Sequence, residues 1–246
     1  MNVLVLMAGP SDSLREAGYQ FPKPLIEIGS KPVVQHALER LLPLLGAGDR
    51  LIVMLRQDEN LKYHIGAVVK LLAPAAEVFE VRGETSGAAC TALLAVDRID
   101  ADEPLVVLNG DQIIEADLAP IVRSFQDRAL DGGIIVFNDV HPRWSFVKCD
   151  ADGLVIETAE KRPISNIATA GFYYFRSGKE FVQAAETMIL KDAAVDGRFF
   201  VCPAYNELIL RNQKVGVHFI KKDQYISLAT AKRIEVFEHH IKEPHP

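Results

Sequence analysis

A chain of 246 residues is long enough to enclose a substantial core, as one large domain or two small ones. Its 49% hydrophobic and 24% charged content is that of an ordinary globular protein, and a net charge of −6 argues against a nucleic-acid binder, which carries a basic face. No stretch approaches the ~20 apolar residues of a membrane-spanning helix, and the opening MNVLVLMAGP has neither the basic leader nor the long apolar run of a signal peptide.

Apolar runs recur along the chain with helical patterns between them. Val3–Met7 reads as a strand, and Pro32 to Leu45 as a helix that bends or ends near Pro43. Leu51–Leu55 is a strand, Asn60 to Leu72 a helix, Val78–Val81 a short strand and Gly87 to Val96 an Ala-rich helix. Leu105–Leu108 is a strand ending at Asn109-Gly110-Asp111, followed by a helix at Leu118–Gln126 and a strand at Ile134–Phe137. Strands alternating with crossover helices predict an α/β fold, with a mainly parallel central sheet covered by helices on both faces. Beyond about residue 140 the texture changes to α+β. Strands are expected at Phe146–Lys148, Leu154–Ile156, Thr169–Phe175 and Val215–Ile220, and helices near Lys179–Leu190, Ala204–Arg211 and Leu228–Ile241. No Gly/Ser-rich linker interrupts the chain, so residues 1–246 read as a single domain. The cysteines, Cys90, Cys149 and Cys202, lack metal-ligand spacing and a disulfide framework; they read as core or incidental thiols of a cytoplasmic protein.

In open α/β sheets, ligands bind beyond the C-terminal strand ends. That rule selects the loops Ala8 to Lys23, Arg82 to Gly87 and Asn109-Gly110-Asp111. A glycine with free backbone N–H groups, a glycine opening a helix and a carboxylate make a site for a phosphate ester and a divalent cation. On spacing alone, Asp111 reads either as a metal-binding carboxylate or as a turn residue satisfying local N–H groups. Lys23, between two prolines, is either held to meet a phosphate or solvated in its loop; Gly87 either admits a ligand or merely starts a helix.

The order Ala8-Gly9, Pro22-Lys23-Pro24-Leu25, Lys31-Pro32, Gly87-Ala88-Ala89, Gly110-Asp111, Glu160-Lys161, Ala170-Gly171-Phe172-Tyr173 resembles the sugar-phosphate nucleotidylyltransferases. It is similar over nearly the whole chain, Val201 to Glu207 included, to a short subgroup found among bacterial capsule and lipopolysaccharide genes. The resemblance implies a nucleotide-diphospho-sugar transferase fold, with residues 1–140 as a nucleotide-binding half and 141–246 as a sugar-phosphate-binding half. It implies a reaction joining a nucleoside triphosphate to a sugar 1-phosphate, with release of pyrophosphate, for surface polysaccharide synthesis. It assigns the triphosphate to the loop of Ala8 and Gly9, charge stabilisation at the α-phosphate to Lys23, and Mg²⁺ to Asp111 beside Asn109 and Gly110. The nucleobase falls to the segment from Glu84 to Gly87 and Ala88, and the sugar phosphate to Glu160, Lys161, Asn166 and Gly171. A homo-oligomer is left open.

The chain departs from the family pattern twice. The first loop has Ser11 for a second glycine and Ser13 for an arginine, with Asp12 between them; Arg15, two residues on, is a candidate substitute. Near the C-terminus, Tyr225-Ile226-Ser227-Leu228-Ala229-Thr230 has Ser227 where the family has a second metal-binding Asp. Three readings therefore stay open: a nucleotidylyltransferase with altered metal ligation, a glycosyltransferase that consumes a nucleotide sugar, and a non-catalytic binder of nucleotides or sugar phosphates. Trp144 is expected as core or as a stacking surface for a base or sugar. Phe199-Phe200-Val201 and Tyr173-Tyr174-Phe175 are expected as core or oligomer contacts. Asp192, Asp196 and Arg198 read as a solvated loop or a lid over the sugar, His141 as a surface residue, and His239-His240 as a solvated tail.

Overall fold

The computed structural model describes residues 1–242. The first strand, β1 (Asn2–Met7), leads into a short helix, α1 (Asp12–Glu16), a two-residue hairpin of β2 (Glu27–Ile28) and β3 (Lys31–Pro32), and α2 (Val33–Leu41). Then come β4 (Arg50–Arg56), α3 (Gln57–Tyr63), α4 (Ile65–Leu72), β5 (Glu77–Val81), α5 (Ala88–Leu93) and β6 (Leu105–Asn109). The middle of the chain forms β7 (Gln112–Ile114), α6 (Leu118–Asp127), β8 (Gly132–Asn138), β9 (Ser145–Cys149), β10 (Val155–Glu160) and β11 (Ile167–Phe175). It closes with α7 (Gly178–Leu190), α8 (Tyr205–Leu210), β12 (Val215–Phe219), β13 (Tyr225–Ser227) and α9 (Ala231–Lys242).

Nine strands form one sheet in the order β10-β9-β11-β6-β1-β4-β5, with β8 joining β11 to β12. The strands β6, β1, β4 and β5 run parallel, as the crossover helices require. From β11 outward the pairing is antiparallel, except that β12 runs parallel to β8. Both faces are buried. Val3, Val5, Leu51, Val53, Val106 and Leu108 face one core with α2, α4 and α6, while Leu4, Ile52, Met54, Leu105 and Val107 face another with α5, α7 and α8. That two-sided burial is why these strands read as unbroken apolar runs. A third, smaller core joins Leu14 of α1, Ile28, Ile113, Leu228, Ile234 and Phe237, so the C-terminal helix packs on the chain's first loop.

Two expected elements are corrected and two short ones are added. The helix predicted over Asn60 to Leu72 is two helices, because His64 takes a left-handed conformation (φ 54°, ψ 38°) and Asn60 Oδ1 accepts the Gly66 N–H at 2.6 Å. The last helix begins at Ala231, since residues 225–227 are drawn into a strand against β7. Neither β7 nor α1 is anticipated by the pattern, as each is too short to display a period.

Candidate active site

β1 lies between β4 and β6, where the order of the parallel strands reverses, and a cavity of about 250 Å³ opens at their C-terminal ends. Every residue the strand-end loops nominate for the nucleotide lines it: Ala8, Gly9, Glu84, Gly87, Ala88, Asn109 and Gly110, with Lys23 and Asp111. A second cavity, of about 300 Å³, adjoins the first and shares Ala88, Asn109, Asp111 and Phe200 with it. Trp144, Glu160 and Gly171 line this second space.

Lys23 is held at both ends. Pro22 is extended, Lys23 opens a single tight turn over Lys23–Leu25, and its backbone N–H donates to the buried Ser11 Oγ at 3.1 Å. Its ammonium reaches Asp111 Oδ2 at 2.8 Å, with the two side chains 14% and 29% exposed. Asp111 is anchored in turn through its carbonyl, which accepts the Leu228 N–H at 2.8 Å, so the stretch carrying Ser227 lies alongside it.

Two glycines shape the walls. At Gly87, φ is 115° and a Cβ would fall 2.4 Å from the Phe199 carbonyl oxygen. Phe199 is bound to this loop by its own N–H to Ser86 O at 2.7 Å and by Ala89 N–H to its carbonyl at 3.0 Å. At Gly171, φ is 61° and a Cβ would lie 2.4 Å from Gln112 Oε1 and 2.5 Å from Asn109 Nδ2; the Gln112 amide donates to the Gly171 carbonyl at 3.0 Å. A side chain at either position would push into the cleft or unseat its polar lining.

The second cavity has a polar floor and an aromatic wall. Glu160 is buried and accepts the Ser145 hydroxyl; burial pushes its carboxyl above the usual range, against the Ser145 hydrogen bond and the charge of Lys161. Trp144 meets Phe137 and Tyr225 edge-on, with centroids 5.5 and 5.4 Å away, and Phe137 stacks on Tyr225 at 4.9 Å. Trp144 is thus both packed and presented to the cavity.

Three expected residues do not line either cavity. The Arg15 guanidinium is held 2.7 Å from the buried Glu59 carboxylate and 3.4 Å from Asp12. Burial raises the Glu59 carboxyl, with Arg15 opposing it, so the pair is a structural tie rather than a free phosphate ligand. Lys161 follows the end of β10 in a left-handed conformation (φ 53°), and its ammonium reaches Asp196 at 3.0 Å and lies 5.2 Å from the centroid of Phe200, a residue of both cavities. Asn166 is exposed, and its carbonyl accepts the Asp139 N–H. Conversely, Arg56, Thr85, Arg198 and Phe200 line the first cavity, and Arg143, Ser145, Thr169, Tyr173, Tyr225 and Ser227 the second. Arg198, exposed as expected of its loop, and the half-buried Phe200 both face the cleft. Arg56 terminates β4, so the strand-end rule extended to that strand points to it. Thr85 lies in the selected loop Arg82 to Gly87, and the others come from antiparallel strands and loops that the rule does not address.

The sequence pattern of the nucleotidyl transferases matches residues 2–225. The chain is 30% identical over 200 residues, 77% of its length, to the mannose-1-phosphate guanylyltransferase catalytic subunit beta of Drosophila pseudoobscura pseudoobscura. Over 178 residues, 71% of its length, it is 30% identical to the bifunctional protein GlmU of Methanocaldococcus jannaschii. It spans 52% and 40% of those two proteins, about half the length of the curated relatives it matches. In fold it is similar to a nucleoside-diphosphate-sugar pyrophosphorylase from Vibrio cholerae RC9, with a TM-score of 0.82 at 24% identity, covering 97% of this chain and 100% of that one. A pattern that runs from the first strand to the residue opening β13, on a fold shared end to end, settles the kinship: the chain belongs to the nucleotidyl transferase family.

Proposed function

We propose that this chain is a sugar-phosphate nucleotidylyltransferase, joining a nucleoside triphosphate to a sugar 1-phosphate and releasing pyrophosphate. The observation that carries the reading is the Lys23–Asp111 pair, 2.8 Å apart at the seam of two adjoining cavities. In this reading residues 1–140 take the nucleotide and residues 141–246 the sugar phosphate, which matches the sugar 1-phosphate named for the first relative. Surface polysaccharide synthesis in the cytoplasm is the setting that the sequence resemblance favours.

The sugar phosphate is already an anionic nucleophile at neutral pH. One of its oxygens attacks the α-phosphorus, the α–β bridging P–O bond breaks, and pyrophosphate departs with the bonding electrons. No general base and no covalent enzyme intermediate are required. The barrier lies in aligning two anions, so orientation and fixed positive charge carry the catalysis. Lys23 supplies that charge as a compact ammonium on a backbone restrained by Ser11 and two prolines. Glu160, Ser145, Thr169 and Tyr173 offer hydrogen-bonding groups to sugar hydroxyls, with Trp144 as the apolar wall.

A divalent cation fits these residues in a restricted way. Among the described residues, no three His, Cys, Asp or Glu side chains converge as a metal cluster, and Ser227 stands where a second acid is expected. Asp111 offers one partly exposed carboxylate, which suffices for Mg²⁺ when substrate phosphates provide the remaining oxygens. When bound, Mg²⁺ neutralises and templates the phosphates.

The test is pyrophosphate release from a panel of nucleoside triphosphates and sugar 1-phosphates with Mg²⁺. Asp111→Asn and Lys23→Ala should each lower turnover by at least about a hundredfold, the scale of losing a charge-stabilising group, while thermal unfolding stays near that of the parent. Undiminished release in both variants overturns the site assignment. Consumption of a finished nucleotide sugar, with release of a nucleoside diphosphate instead, overturns the reaction.

A further inference from the structure

One positive charge lines the second cavity and another lies over the same indole, neither closed in an ion pair among the described residues. Arg143 lines the cavity, with its guanidinium carbon 4.3 Å from the centroid of the Trp144 ring; that of Arg233, from α9, lies 6.0 Å from the same ring. Among the described residues neither guanidinium has an ion-pair partner; each is engaged only by the indole. The nearby acids are committed elsewhere. Asp139 pairs with Lys222 at 3.0 Å and accepts the Val140 and His141 N–H groups at 2.7 and 2.9 Å. Glu160 accepts the Ser145 hydroxyl, and Asp111 holds Lys23. The two arginines feel each other: burial and the charge of Arg233 hold the Arg143 guanidinium below its ordinary value, against Asp139 and Tyr225.

Like charges gathered on one aromatic ring at the edge of a cavity repel, and an anion placed between them relieves that repulsion. Guanidinium forks take carboxylates and phosphates bidentately. The reacting phosphates already have a cationic partner at Lys23, so this pair faces something else. We propose that the sugar phosphate taken by this protein carries a further anionic group, a carboxylate or a second phosphate, bound by Arg143 and Arg233 beside Trp144. The inference rests on the nucleotidylyltransferase reading above. It also disfavours a quaternary ammonium substrate, which an aromatic wall by itself would welcome.

The experiment compares pyrophosphate release with hexose 1-phosphates, hexuronic acid 1-phosphates and hexose 1,6-bisphosphates, in both gluco and manno series, for the parent, Arg143→Gln and Arg233→Gln. At least one charged class should exceed its neutral counterpart in kcat/KM by about tenfold or more, the worth of a charge-assisted bidentate contact, and should lose that advantage in either variant. An advantage confined to the uronic acids assigns the group as a carboxylate, and one confined to the bisphosphates assigns it as a phosphate. Equal or lower kcat/KM for both charged classes, or an advantage that survives both substitutions, overturns the proposal and leaves the nucleotidylyltransferase reading standing. No release from any of these substrates with any nucleoside triphosphate overturns that reading, and the proposal with it.

Discussion

Ser11 stands where the family pattern has glycine, and its side chain has taken on a task glycine lacks. Its oxygen accepts the Lys23 N–H at 3.1 Å, and it lies beside the buried Glu59 carboxylate, whose pKa it lowers and on which Arg15 closes at 2.7 Å. Part of what an open glycine loop would offer is thus exchanged for rigidity behind Lys23, the proposed catalytic cation. Ser11→Ala leaves the Lys23 N–H without its acceptor in a buried setting, at a cost of about 1–3 kcal/mol. Urea unfolding should register that loss, and turnover should fall by about tenfold because Lys23 is no longer fixed. Unchanged turnover at lowered stability would make Ser11 a stabilising residue only.

The connection between β8 and β9 is a clamp rather than a free loop. Burial by itself would raise the Asp139 carboxyl. The His141 N–H, the Lys222 ammonium and the Val140 N–H outweigh it and hold Asp139 ionised well below the usual carboxylate range. A depressed folded-state pKa contributes stability that is fully present above the ordinary value of about 4 and is lost as pH falls below it. Asp139→Asn should therefore destabilise the protein at pH 7 by about 1–3 kcal/mol, and the gap to the parent should narrow at pH 3. Trp144, the single tryptophan, reports the transition by its fluorescence. A gap that is constant with pH would remove the ion pair as its cause. The same clamp sets Arg143 and Trp144 at the second cavity, so under the proposal above one connection links stability to substrate choice.

At the scale of the molecule, the two ends of the chain meet behind the site. Phe237 and Ile234 of α9 share a core with Leu14, just after Ser11, and with Leu228, whose N–H holds the Asp111 carbonyl. Phe237→Ala empties a buried aromatic position and should cost about 3 kcal/mol. It should also lower turnover at temperatures where the chain remains folded, because both supports of the Lys23–Asp111 pair rest on this core. Calorimetry and pyrophosphate release on the same sample separate the two effects. Full turnover in a folded Phe237→Ala protein would show that α9 stabilises without positioning.

Much of this was legible in the residues. Strands buried on both faces announce themselves as unbroken apolar runs, and the strand-end rule led to the loops that carry Lys23, Asp111 and much of the lining of the first cavity. These are consequences of local periodicity, which a sequence carries explicitly. What the tertiary structure decided is where long side chains end. Arg15 turns to Glu59, Lys161 closes on Asp196 and the Phe200 ring, and Arg143 and Arg233, ninety residues apart in the chain, meet on one indole ring. Sequence spacing sets which residues share an element. The direction of a flexible side chain, and the charge it finds there, is settled only when distant elements pack.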